Sequence, residues 1–128
     1  MLRMTDCLVV SAILAATAAY ADEIRRTAFA PALLGTWAPG GQTCDAKSNN
    51  NIVIAETSFN DNAGSCKVDW IVETAAAAGT NYSVHAACTD QQNKTSVTNR
   101  IIRLDSNGRV SVGASFDDLK PYQRCPAK

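Results

Sequence analysis

From residue 34 onward, apolar and polar residues alternate in short runs, and clusters of turn-forming residues interrupt them about every ten residues. That rhythm predicts a sandwich or barrel of short strands. Strands are expected at 34–38 (LGTWA), 52–59 (IVIAETSF), 66–73 (CKVDWIVE), 81–88 (NYSVHAAC), 95–104 (TSVTNRIIRL) and 109–114 (RVSVGA), with a short one closing at 122–125. Pro39-Gly40-Gly41, Asp61-Asn62-Ala63-Gly64 and Asp105-Ser106-Asn107-Gly108 punctuate them, and the Asn-Gly step favours a hairpin turn. Residues 74–80 (TAAAAGT) and 90–94 (DQQNK) read as loops. Beyond residue 21 no window sustains helical apolar spacing for three turns. The expected fold is therefore all-β, a small antiparallel barrel of about six to eight strands. It forms a single domain over 34–128, preceded by a lead, 22–33 (DEIRRTAFAPAL), that shows no sustained strand pattern.

Two segments fix a register. Side chains alternate across a strand, so Cys66, Val68, Trp70 and Val72 share one face, while Lys67, Asp69 and Glu73 share the other, with Ile71 as the exception. Tyr82, Val84, Ala86 and Cys88 likewise share a face, opposite Asn81, Ser83, His85 and Ala87. A hairpin centred on Ala77 sets 66 against 88, 68 against 86, 70 against 84 and 72 against 82. Opposed residues lie ~4.5–5.5 Å apart at Cα, within disulfide reach, and a slip of one residue would separate the sulfurs. Cys66–Cys88 is expected on this ground. Cys44–Cys125 then ties the chain end to the region after the first strand, as in a barrel whose first and last strands are neighbours. Cys44–Cys66 with Cys88–Cys125 is the rival connectivity, and sequence alone does not choose between them. The expected plug and core residues are Trp37, Trp70, Tyr82 and Val84.

The N-terminus reads as a signal peptide over 1–21. Arg3 is followed by an apolar run at 8–19 and the small-residue site Ala19-Tyr20-Ala21. The run is shorter than the ~20 residues a membrane span needs, and Asp22 and Glu23 follow at once. A periplasmic or secreted protein is expected, with no membrane anchor after cleavage. The four cysteines beyond residue 21 suit an oxidising compartment. They lack the close C-x-x-C pairs of a zinc site, so no metal is expected. Removing 21 of the 128 residues leaves 107, with eleven basic and eleven acidic side chains. Such a balance offers no basic face to nucleic acid.

Candidate chemistry is sparse. In the register above Asp69 faces His85, with Ser83 two residues away, which admits a hydrolase triad. A cross-strand ion pair on a solvated face explains the same residues, and no G-x-S-x-G elbow accompanies them. Asp105, Asp117 and Asp118 lack the spacing of a calcium loop. Arg25-Arg26 reads as a solvated charge pair, and Arg100, Arg103 and Arg109 as part of a mixed surface. Asn81-Tyr82-Ser83 and Asn93-Lys94-Thr95 match glycosylation sequons. No catalytic residue and no cofactor are expected.

Gly35-Thr36-Trp37 opens the first strand, and this G-x-W resembles the start of lipocalin-like barrels, where the tryptophan plugs one end. The first half of the mature chain further resembles the small periplasmic inhibitors of secreted metalloproteases found in bacteria. It shares with them an N-terminal lead, a G-x-W strand, a Cys-Asp (Cys44-Asp45) and a cysteine about two strands later (Cys66). The resemblance implies a compact eight-stranded barrel whose lead enters a protease cleft. It also implies a disulfide between Cys44 and Cys66, which is the rival connectivity. The expected function is an exported, non-enzymatic, monomeric binding protein with a protein partner. Inhibition of a secreted protease through Asp22, Glu23, Ile24, Arg25 and Arg26 is its sharper form. The alternatives are a barrel that binds a small apolar ligand in its interior, or a structural envelope protein with no ligand.

Overall fold

The computed structural model describes residues 23–45 and 50–126. Nine strands follow in chain order: β1 Ile24–Arg26, β2 Gly35–Pro39, β3 Ile52–Ile54, β4 Ser58–Asp61, β5 Gly64–Ala76, β6 Gly79–Thr89, β7 Thr95–Asp105, β8 Val110–Gly113 and β9 Lys120–Arg124. Single 3-10 turns lie at Pro31–Leu33 and Phe116–Asp118. From β2 to β9 each strand pairs antiparallel with the next, and β9 returns to β2. The ring is a closed, eight-stranded up-and-down barrel. Closure removes the open edges that an antiparallel sheet would otherwise expose. β1 stands apart from the ring, laid antiparallel on the stretch of β5 that β4 is too short to cover.

Three boundaries differ from the sequence reading. The single strand expected at 52–59 is two, because Ala55 turns back and its N–H donates to the Ser58 carbonyl (2.9 Å). The alanine-rich stretch expected as a loop is mostly strand. β5 and β6 run to Ala76 and Gly79, leaving only Ala77 and Ala78 at the turn. Gly79 has φ +150°, and a Cβ there would sit 2.1 Å from the Leu104 carbonyl oxygen. That clash reserves the position for glycine. The lead, expected to be irregular, holds β1 and buries Phe29 and Leu33 in the core.

The interior is packed with side chains, as a barrel of this size requires. Leu33, Ile71, Val84 and Val110 are fully buried, joined by Trp37, Phe59, Tyr82, Ile102 and Val112. Trp37 closes one end: its indole N–H donates to the Leu33 carbonyl (3.0 Å) and the Arg124 guanidinium lies 4.3 Å over its ring. Arg124 also donates to the carbonyls of Leu34 and Ala32. Gly35 passes beneath this guanidinium at φ +124°, where a Cβ would lie 3.0 Å from an arginine nitrogen.

Both disulfides settle the connectivity: Cys66–Cys88, with Cα atoms 3.9 Å apart, and Cys44–Cys125, at 5.6 Å. The rival pairing implied by the inhibitor resemblance does not occur. The hairpin register holds at 66–88 and 68–86 and then slips. Asp69 is an extra residue, a β-bulge, so Trp70 lies opposite His85 and Ile71 opposite Val84. A bulge exchanges the faces of every residue beyond it. Ile71 therefore enters the core, and Trp70, expected there, lies on the outer face. Asp69, expected to face His85, faces no residue across the strand pair. An aliphatic Ile71 also suits the closed interior better, since an indole N–H buried there would need a partner.

Candidate partner-binding surface

β1 is built on an anchor and carries little else. Phe29 packs edge-on to Phe59 (centroids 6.2 Å apart), and its N–H donates to the Glu56 carbonyl (2.8 Å). Leu33 is fully buried. Burying a side chain of this size stabilises by roughly 1.5–3 kcal/mol, so 29–33 is firmly held. Ile24, Arg25 and Arg26 are all exposed, with Ile24 at 45%. They are held by three residue pairs with β5, by the Arg26–Glu73 ion pair, and by Arg25, whose guanidinium lies 5.1 Å over Trp70. An exposed cation–π contact contributes about 0.5–1 kcal/mol, and an exposed ion pair often less. The lead thus has a fixed root and a lightly held tip.

The tip rests on a stack made by the bulge. Trp70 and His85 stack at 4.5 Å with 24° between planes, and Arg25 covers the tryptophan from the lead. Among the expected partner-binding residues, Glu23 is exposed just before β1, and Asp22 lies outside the described residues, as does the signal peptide expected at 1–21. The far edge of β1 pairs with no strand among the described residues. An unpaired edge offers main-chain donors and acceptors to another strand.

The remaining candidates take other places. Trp37, Tyr82 and Val84 lie in the core, and Trp70 does not. Among the described residues Asp69, Ser83 and His85 make no hydrogen-bonded relay: the imidazole is engaged by Trp70. Arg100, read from sequence as surface, points inward opposite Val84. Its Nε donates to Asp61 Oδ2 (3.2 Å), and the two side chains are 20% and 6% exposed. Asp61 Oδ1 accepts the Ala63 N–H (2.8 Å). Tyr122 completes this polar cluster. Burial raises its pKa above the ordinary tyrosine value, the Asp61 charge adds to the rise, and Arg100 partly offsets it. Tyr82 is raised likewise, first by burial and then by Glu73. One signal for Arg100 was present in the sequence: Thr98, Arg100, Ile102 and Leu104 alternate onto one face, and that face is apolar beyond the arginine.

Two recesses mark the outside of the barrel. One, of about 570 Å³, lies beside the lead, between residues 25–31 and Glu73. A larger one, of about 1430 Å³, crosses the outer face at Thr36, Val53 and Asn60 and abuts the Cys44–Cys125 disulfide. Beside it Asn51 donates to the Asp45 carbonyl (3.0 Å), while its Oδ1 is buried with no partner among the described residues. Among the described residues, no three His, Cys, Asp or Glu side chains gather as metal ligands.

Fold and surface together define a disulfide-stapled, closed β-barrel with an added edge strand. Its two disulfides fit an oxidising compartment, and no helix among the described residues is long and apolar enough to cross a membrane. Comparison with protein-family models, with curated proteins and with solved structures finds no match.

Proposed function

We propose that this chain is an exported, non-enzymatic binding protein that engages a protein partner through its N-terminal segment, residues 22–26. The observation that carries the reading is β1: three exposed residues with an edge unpaired among the described residues, displayed from a root buried at Phe29 and Leu33. A rigid root lowers the ordering cost of binding, and an open edge accepts an extended segment by strand addition. The resemblance to periplasmic inhibitors makes a secreted metalloprotease the first partner to test. Because β1 lies on β5 rather than projecting, such a protease would be met by edge pairing. An apolar ligand inside the barrel is the weaker reading, since Leu33, Ile71, Val84 and Val110 occupy that space.

The test compares the mature chain, starting at Asp22, with a variant lacking 22–28, both verified as folded by near-ultraviolet circular dichroism. Each is immobilised against periplasmic extract and culture medium, and each is assayed against a panel of secreted metalloproteases. A protein retained or inhibited by the intact chain alone supports the proposal. Equal retention by both, or none by either, refutes it.

A further inference from the structure

The segment 22–26 reads Asp-Glu-Ile-Arg-Arg: two acids, one apolar residue, two bases. Reversed, the order of charge signs inverts. Laid antiparallel on a second copy with Ile24 on the twofold axis, it sets Glu23 opposite Arg25, twice by symmetry. From this pattern we infer that the open edge of β1 is a self-association surface whose occupant is β1 of a second copy of this chain. The two nine-stranded sheets would then be joined edge to edge.

Three structural observations carry it beyond the sequence pattern. β1 is the terminal strand of the sheet order, with one side on β5 and the other unpaired among the described residues. Ile24, on the axis, is 45% exposed, an apolar side chain that two copies would cover mutually. Neither Glu23 nor Arg25 takes part in an ion pair among the described residues, whereas Arg26 pairs with Glu73 and Arg100 with Asp61. Like charges usually guard an edge strand against pairing. Here the acids sit where the second copy's bases arrive, so the guard becomes a register key. Antiparallel cross-strand pairs of opposite charge favour a register, and like charges opposed disfavour it. A twofold contact of this kind uses the same patch on both copies and closes without forming a fibre.

The contact is short. It covers far less than the roughly 1,200 Å² of a stable interface, so association is weak, dependent on concentration and reduced by salt. Sedimentation equilibrium of the mature chain up to about 1 mM, a range suited to weak complexes, should show a monomer–dimer equilibrium. Glu23→Arg and Arg25→Glu each turn both central pairs into repulsions and should weaken self-association at least about tenfold. Glu23→Arg combined with Arg25→Glu restores opposite charges and should restore the dimer. The two single variants, mixed, should associate with each other although neither does so alone. Near-ultraviolet circular dichroism keeps folding in view, since both positions are exposed. A wild-type chain that stays monomeric overturns the inference. So does a dimer that persists in either single variant, or a double variant that fails to recover while remaining folded. The inference does not depend on a foreign partner: a dimer that captures no other protein would retain it while removing the proposed function.

Discussion

Breaking the Asp61–Arg100 pair from one side should destabilise the barrel far more than removing both charges. Asp61 ends β4 and Arg100 lies mid-way along β7, so the contact spans the interior past β5 and β6. Arg100→Met keeps the stem and deletes the guanidinium. It strands a carboxylate whose side chain is 6% exposed. Leaving a buried charge unpaired costs about 3–5 kcal/mol. The Ala63 N–H still serves one carboxylate oxygen, so the lower end, about 3 kcal/mol, applies. Asp61→Leu strands Arg100 instead. That side chain is 20% exposed and also donates to the Asn99 carbonyl, so it can turn toward water, and about 2 kcal/mol is expected. The double variant replaces an ion pair by apolar groups and should lie within about 1 kcal/mol of the parent.

The assay is equilibrium urea unfolding with the disulfides intact, followed by the barrel's two tryptophans and by far-ultraviolet circular dichroism. A four-member double-mutant cycle then gives a coupling of about 4–6 kcal/mol. A coupling under about 0.5 kcal/mol would mean that water reaches the pair and that it contributes like a surface bridge. The reasoning from burial would then be wrong.

Raising pH should destabilise the protein through Tyr82 and Tyr122. Both native pKa values lie above the ordinary 10.0, so the unfolded chain loses these protons first. Their contribution is complete below pH 10 and disappears as pH climbs through the raised native values; Tyr82→Phe and Tyr122→Phe should each flatten alkaline melting curves. Replacing Cys44 and Cys125 by alanine opens a loop of 81 residues and should cost about 4–5 kcal/mol by chain entropy. Replacing Cys66 and Cys88, 22 apart, should cost about 3 kcal/mol, plus lost packing of two buried sulfurs. Urea midpoints compare the two; a smaller loss at Cys44–Cys125 than the chain-entropy value assigns would mean that the unfolded chain keeps that loop closed. Gly35→Ala forces a Cβ toward Arg124 at φ +124° and should cost about 1–3 kcal/mol, read from thermal melts.

Local alternation made much of the architecture legible. The pairing of Cys66 with Cys88 follows from residues within one hairpin, where register, face and chemistry agree. The Cys44–Cys125 bond then followed by remainder. What sequence did not show depends on distant neighbours. β1 carries no strand pattern of its own; it is a strand because β5 outruns β4 and leaves an edge to fill. Asp61 and Arg100 are 39 residues apart, and each looks ordinary alone, one as a turn residue and the other as a surface cation.

The bulge at Asp69 links these failures to the proposed site. Ile71 was the one apolar residue that strict alternation placed on the polar face, and it marks where the register slips. One extra residue moves Ile71 inward and Trp70 outward. The outward tryptophan then supplies the ring on which Arg25 rests and against which His85 stacks. Without the bulge, Trp70 would compete with Val84 for the barrel interior, and Arg25 would lose the aromatic face it now covers. β1 would keep its backbone pairs and the Arg26–Glu73 contact, but not this third hold. The irregularity that defeats the periodic reading of β5 is thus the device that seats the lead. A bulge that re-aims a side chain beside a functional surface is a common use of this motif, and here it couples the register of the barrel to the display of its open edge.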